Sequence, residues 1–380
     1  MTGHSNKLKI VTWDQDKFLR SEFEWQTLLK QSNANPVFMS WQWMLEWWNV
    51  WGQQSGDELF IIAVYDQSIL VGLAPLYKTV SHLGSTPLTI KRIELLGTRY
   101  QGQNGVRSEY LQFLSCHEQK DVIMETLLQA IHRDQTWDEL ILCNMTTVEH
   151  SAKIALHFFE TQELVRVLDN EGAYSINCKG SYSDYIQALG KNTRLKLFNR
   201  RKALHELGEV EYCPVKLNID SNIFDEIDKF HLTRFGKAAF TEKYKKHLIH
   251  AIRAQERNSK NEYSSILKLN GNIISAMLNI SYGSTIYNIQ LGFEEALDKR
   301  ISVGLLHLGY ALEQAFQSDS ISSFDLLAGA GKNNNYKERI ADRHATLETR
   351  QFIRPTWLKF LYLVNDKFVS KIRSFFGQHL

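Results

Sequence analysis

The sequence predicts an α/β (α+β) chain made of two tandem copies of one domain, each a mixed, mostly antiparallel sheet flanked by helices. Short apolar runs of strand length alternate with longer stretches of helical period. One order of elements (hairpin, further strands, helix, strand) occurs in both halves. The separation between equivalent elements is too long for a solenoid repeat and fits duplication of a whole domain. At 380 residues the chain can supply a core to each copy.

In the first half a strand is expected over Leu8 to Trp13 and a helix from Asp16 to Lys30. Ser40 can cap a helix from Trp41 to Trp51, which Gly52 stops. Its five tryptophans read either as an aromatic face packed on the core or as the wall of a substrate groove. Strands follow at Leu59 to Tyr65 and Ile69 to Tyr77, joined by Asp66-Gln67-Ser68, then at Arg92 to Leu96 and Tyr110 to Leu114. A helix over His117 to Arg133 and a strand from Glu139 to Cys143 close the half.

The second half opens with helical sequence from Tyr182 to Leu207, broken near Gly190, and helices at Ile223 to Phe235 and Thr241 to Gln255. Tyr263 to Leu269 and Ile273 to Ser281 flank Asn270-Gly271, a strong hairpin signal because both residues tolerate positive φ. A strand from Thr285 to Gln290, a helix from Ser302 to Gln317 and a strand from Ser323 to Leu327 follow. Breakers between Asp169 and Gly180 place the boundary there, giving domains 1–175 and 176–354. Residues 355–380 form a separate segment with apolar residues at helical spacing and Lys359, Lys367, Lys371 and Arg373. It reads as a basic amphipathic helix, lying on the inner face of a membrane or docked on the protein.

Hydrophobic residues make up 43% and charged residues 23%, as in ordinary globular proteins. A net charge of +2 does not point to DNA as a partner. The four cysteines lack metal-ligand or disulfide spacing, so reduced thiols and no metal are expected. Met1 to Lys9 is polar with no apolar stretch after it, so no signal peptide is expected and the protein is placed in the cytoplasm. The apolar runs are too short to span a bilayer.

Four places could carry chemistry. Phe324 to Gly329 reads as a buried strand ending in glycine, with Tyr336-Lys337 beyond it; a lysine there can hold an anion or support an oxyanion. Ser302-Val303-Gly304, preceded by Arg300, opens a helix whose free amides can bind phosphate, or is an ordinary capped helix. The run Lys191 to Lys202 puts Arg194 and Arg201 on one helical face, either for phosphate or as a solvated surface. His231 and Arg234 share a face, where His231 can be a general base or make a structural hydrogen bond. There is no G-x-S-x-G, H-E-x-x-H or Walker A sequence, which argues against the familiar serine and zinc hydrolases and P-loop enzymes.

In order and spacing the chain resembles the FemAB-like and CelD-like acyltransferases of the GNAT superfamily. The resemblance covers most of residues 36 to 345. It rests on Phe38-Met39-Ser40-Trp41-Gln42-Trp43 with Trp47-Trp48, and Val71-Gly72-Leu73-Ala74-Pro75-Leu76-Tyr77. In the second half it rests on Thr193-Arg194, Asn199-Arg200-Arg201, His231-Leu232-Thr233-Arg234, Gln290-Leu291-Gly292-Phe293, Ser302-Val303-Gly304 and Phe324 to Gly329 with Tyr336-Lys337. It implies transfer of an acyl group, acetyl foremost, from acyl-CoA to an amine on a sugar or cell-envelope precursor, with exopolysaccharide formation the nearest setting. Some relatives use aminoacyl-tRNA to build peptidoglycan bridges, and a non-catalytic member of an envelope assembly system is a third reading.

Under the resemblance, Gln290, Phe293, Arg300, Ser302, Val303 and Gly304 meet the acyl-CoA. Lys337 and Tyr336 match the aromatic-lysine pair at the reacting centre, and Asp325 or His231 takes the amine proton. Trp41, Trp43, Arg194, Arg201 and Arg234 contact the acceptor, a small molecule or lipid-linked glycan, in an interdomain groove. The chain departs from the pattern in two places. Gly331 to Asn335 reads as an inserted loop, and Arg300-Ile301-Ser302-Val303-Gly304 retains only part of the R/Q-x-x-G-x-G/A pyrophosphate loop.

Overall fold

The computed structural model describes residues 8–53, 56–83, 86–100, 107–217, 222–255, 262–329 and 332–364. The sequence expectations for Met1 to Lys7, Gly331 and 365–380 fall outside these residues. The chain forms two compact units. The first holds residues 1–102, 110–170 and 348–380; the second holds 103–109 and 171–347. The segment from 348 onward, which the sequence reading divides at 355, is thus grouped with the first unit.

The first unit contains β1 (Lys9–Trp13), β2 (Glu58–Leu59), β3 (Ile61–Asp66), β4 (Ile69–Ala74), β5 (Leu76–His82), β6 (Thr89–Leu95), β7 (Leu114–Ser115) and β8 (Glu139–Thr146). One sheet has the order β1-β3-β4-β7, and a second carries β8-β6-β5-β2. The expected single strand Ile69 to Tyr77 is interrupted at Pro75, which has no amide to donate and lets β4 and β5 join different sheets. Of the expected strand Tyr110 to Leu114 only its end is a strand, together with a parallel bridge from Leu111 to Met145. β5 pairs antiparallel with β6, and β6 pairs in parallel with β8. The helix Lys120–Arg133 buries Ile123, Leu127 and Ile131, at helical spacing.

The strands β9 (Leu164–Asn177), β10 (Val210–Val215), β11 (Ser264–Leu269), β12 (Asn272–Tyr282), β13 (Thr285–Phe293), β14 (Ser323–Ala328) and β15 (Arg343–Ile353) complete the set. In the second unit the order is β10-β11-β12-β13-β14 followed by the end of β9. β10 to β13 form an antiparallel meander, and β13 pairs in parallel with β14. This repeats β5-β6-β8 of the first unit, down to the helix between the parallel strands: Lys120–Arg133 there, Val303–Gln317 here. The β11–β12 turn is Asn270-Gly271, both at positive φ, as the sequence requires.

Two close approaches fix the helices of the second unit. A Cβ on Gly292 of β13 would lie 2.9 Å from the backbone of Ile227, so the helix Ile223–Phe235 rests directly on the strand. A Cβ on Gly309, inside Val303–Gln317, would lie 2.1 Å from the Leu197 carbonyl oxygen. Leu197 belongs to a π-helical turn, Leu195–Asn199, in the middle of the basic run. Among the described residues no helix is long and apolar enough to cross a membrane.

Candidate active site

In the second unit β13 and β14 pair only from Thr285 to Tyr287 on β13 and Ser323 to Asp325 on β14. Beyond that point the two strands part. A cavity of about 410 Å³ lies there, bounded by Asn288 to Leu291 and Phe293 on β13 and by Leu326 to Gly329 at the end of β14. Ser302, Gly304 and Leu305, at the start of the helix Val303–Gln317, line another side. The first amides of that helix have no partner within it, so this wall offers donors and the positive end of the helix dipole. Ser302 is the N-cap but makes no side-chain capping bond. A Cβ on Gly304 would lie 2.8 Å from the Phe293 ring, so the glycine lets that ring sit against the helix start.

The expected loop between Gly329 and Tyr336 is largely a helix, Lys332–Ile340. Ile340 is buried in the cluster with Phe324 and Leu326, Tyr336 packs against the same cluster, and the Tyr185 hydroxyl donates to the Ile340 carbonyl at 2.8 Å. With that face anchored, Lys337 meets the end of β14. Its Nζ donates to the carbonyls of Ala328 at 2.7 Å and Leu327 at 3.2 Å. Leu327 has φ +59°, a left-handed conformation rare for leucine, and its amide donates to Asp325 Oδ1 at 2.7 Å. Asp325 thereby steadies the kink from which Lys337 takes its hydrogen bonds; Asp325 does not line the cavity.

Glu109 completes the centre. It lines the cavity, is buried, and accepts the Ala328 amide at 2.6 Å. The Leu327–Ala328 peptide therefore lies between two charges, its C=O on the Lys337 ammonium and its N–H on the Glu109 carboxylate. Burial raises the Glu109 pKa, against the opposing pull of Arg107, the Ala328 amide and Lys337. Burial lowers the pKa of Lys337, opposed by Glu109 and Asp325. The sequence reading missed Glu109 because it lies far from the other site residues in the chain and belongs to no motif. An acid within Arg107-Ser108-Glu109 was its only local signal.

Of the residues singled out from sequence, Lys337, Tyr336, His231, Gln290 and Phe293 line this cavity, as do Ser302, Gly304 and Arg234. His231 Nε2 lies 3.1 Å from the Leu291 carbonyl, and Arg234 pairs with Glu295 at 2.7 Å. The other residues lie elsewhere. Val303 is buried beneath the helix start, and Arg300 is held by Asp298 at 2.8 Å. Arg194 donates to the Gln187 carbonyl, while Arg201 stacks over Tyr310 and pairs with Glu313. Trp43 is buried in the first unit edge-on to Phe38, and the Trp41 indole donates to the Phe18 carbonyl at 2.9 Å. Packing on the core is what occupies these two tryptophans. Among the described residues no group of three His, Cys, Asp or Glu side chains gathers closely enough to hold a metal ion.

Residues 191–338 match the family model described as an acetyltransferase (GNAT) domain. That span contains the meander, the fork between β13 and β14 and Lys337. The fold is similar to the crystal structure of FemX, with a TM-score of 0.55 and 10% identity over 90% of this chain and 98% of FemX. It is also similar to a conserved protein of unknown function from Bacteroides thetaiotaomicron, with a TM-score of 0.52 and 11% identity over 91% and 100% of the two chains. No curated protein matches the chain. The chain is a mixed α/β protein in which residues 191–338, within the second unit, match a GNAT-type acetyltransferase domain.

Proposed function

We propose that the second unit transfers an acyl group from acyl-CoA to an amine, with acetyl the first donor to test and an amino sugar or lipid-linked envelope glycan as the acceptor class. The observation that carries this reading is the fork. The edge of β13 from Asn288 onward faces a cavity instead of β14, so an extended amide-bearing arm has room to lie beside the strand, where His231 meets the Leu291 carbonyl. The open end of the helix Val303–Gln317 meets the same cavity and suits the phosphates of such a donor.

The acceptor nitrogen attacks the thioester carbonyl carbon, the C–N bond forms, and the C–S bond breaks as thiolate leaves. Glu109 takes the proton that the nitrogen loses; its raised pKa fits it for that task. Lys337 has three N–H donors and two are engaged by carbonyls, leaving one for the oxygen that becomes negative. His231 and Gln290, 3.5 Å apart on the cavity wall, orient the acceptor.

A second reading, aminoacyl-tRNA as the donor, has support in the basic run Lys191 to Lys202 and in the likeness of the fold to FemX. Thermal shift separates them. A donor that binds the native state raises the melting temperature by mass action. Acetyl-CoA or a longer acyl-CoA is expected to raise it, and Gly304→Glu to abolish the effect. A shift with aminoacyl-tRNA alone, weakened by salt, would put the second reading in its place. No shift with either would leave the non-catalytic reading.

A further inference from the structure

Residues 356–364 form a helix in the first unit. One side is fixed to the protein. Leu358 is fully buried with Ile90 and Ile353, and Tyr362, one turn on, donates to Glu139 at 2.5 Å and sits beneath Arg166. Lys359 pairs with Glu163 at 3.2 Å. The other side is apolar and exposed: Trp357, Phe360, Leu361, Leu363 and Val364, with Phe360 66% accessible. At 100° per residue these five lie on the side opposite Leu358 and Tyr362, with the exposed Thr356 the one polar residue on that side. So wide a contiguous apolar surface marks an interaction site rather than scattered exposed residues.

We infer that this face docks on an anionic lipid surface. The sequence beyond supplies the charge complement. Phe368, Ile372 and Phe375 continue the apolar spacing from Val364, interleaved with Lys367, Lys371 and Arg373 against one acid, Asp366. Apolar residues interleaved with long basic side chains suit the headgroup region, where the rings enter the acyl boundary and the cations meet lipid phosphates. A second copy of the chain is a poorer occupant. Each copy of the segment carries three cations against one acid, so a second copy would bring like charge to like. The inference is independent of which acyl donor the second unit uses.

Co-sedimentation of the full chain with phosphatidylcholine vesicles, with and without phosphatidylglycerol, tests it. Light scattering on the same samples reports the oligomeric state. Binding is expected only with the anionic lipid and should weaken as salt rises. Phe360→Asp should weaken it roughly tenfold or more, from the loss of one inserted ring. Phe360 faces solvent, so the variant should keep the parent melting temperature. Phe23→Asp, at an exposed ring on another helix, should bind like the parent. Equal binding by Phe360→Asp, or indifference to anionic lipid, overturns the inference. So does a dimer that Phe360→Asp breaks apart while the parent ignores vesicles. A chain ended after Val364 that binds vesicles more tightly than the full chain would show that residues 365–380 cover the face, and would overturn it too.

Discussion

Lys337 and Glu109 hold the two ends of one peptide group, so their losses should differ in kind. Lys337→Ala removes a buried cation and a donor to the developing oxyanion. It should lower kcat/KM by about 100-fold or more while acyl-CoA still raises the melting temperature. A fall within a factor of about two would remove Lys337 from the reaction. Glu109→Gln keeps an oxygen for the Ala328 amide but cannot take a proton. In the parent the raised pKa of Glu109 sets the acid limb, so activity climbs as pH rises through it. The lowered pKa of Lys337 sets the alkaline limb, so activity falls as pH passes it. The glutamine variant should lose the acid limb and fall roughly 100-fold or more in rate; a pH–rate profile that keeps the limb would assign it to another group. His307 illustrates a titrating residue with no part in this chemistry. It is fully buried between Ser265 and Ser275, and burial pushes its pKa down to about 3. The unfolded chain binds that proton near pH 6.5, so the stability due to a neutral His307 is complete above this value and drains away as pH falls toward about 3. His307→Gln should therefore show a smaller drop in melting temperature between about pH 7 and pH 4 than the parent.

Among the elements, those with a strong local signal were legible from sequence. The helix Ile223–Phe235 and the Asn270-Gly271 hairpin stand where their periodicity and turn residues put them. β9, β15 and the helix His150–Gln162 were missed. β9 runs through Asn170-Glu171-Gly172, which reads as a break, because strand pairing overrides local propensity there. The helix Lys332–Ile340 was read as a loop because its start is an asparagine run with little helix preference. That error mattered for the site, since the helix is what returns Lys337 to the end of β14. The kink at Leu327 had no sequence signal; a leucine gives no warning of positive φ, and only Asp325 and the parting of β13 from β14 account for it. The packing of Val303–Gln317 can be tested at Gly309. On an open helix surface Gly→Ala gains about 1 kcal/mol from propensity. Here the added methyl meets the Leu197 carbonyl at 2.1 Å, and backbone cannot step aside as a side-chain tip can. Overpacking of this kind costs roughly 1–3 kcal/mol or more, so Gly309→Ala should destabilise the protein in urea unfolding. A stabilised variant would mean that the helix and the π-helical turn are not in contact.

At the scale of the whole molecule, the two-domain architecture was legible because duplication leaves its order in the chain, but the membership of each unit was not. Contacts between distant segments decide membership, and no linker composition announces them. The first unit recruits residues 348–364 from beyond the second, and the second recruits Arg107 to Glu109 from within the first half. These borrowed pieces are core. Phe352 and Ile353 are fully buried, Phe352 packs on Phe159 at 5.3 Å, and Arg354 stacks on Trp137 at 3.6 Å while pairing with Glu163. In the second unit the end of β9 supplies the neighbour of β14 through Ala173, Ser175, Ile176 and Asn177, and Glu109 holds the Ala328 amide. A cut at 175 would strip the first unit of two buried aromatic or aliphatic side chains from β15 and of Leu358, each such loss costing about 2–5 kcal/mol. Domains of this size are stable by about 5–15 kcal/mol in all. A fragment of residues 1–175 should therefore fail to melt cooperatively when followed by circular dichroism, and a fragment of 176–347, lacking Glu109 and most of β9, should lose both stability and the Lys337 site. Joining residues 348–364 to the end of the first fragment through a flexible linker should restore a cooperative transition, because it returns the buried side chains without the second unit. If 1–175 alone melted as sharply as the full chain, the core contacts of Phe352, Ile353 and Leu358 would not be what holds the first unit together.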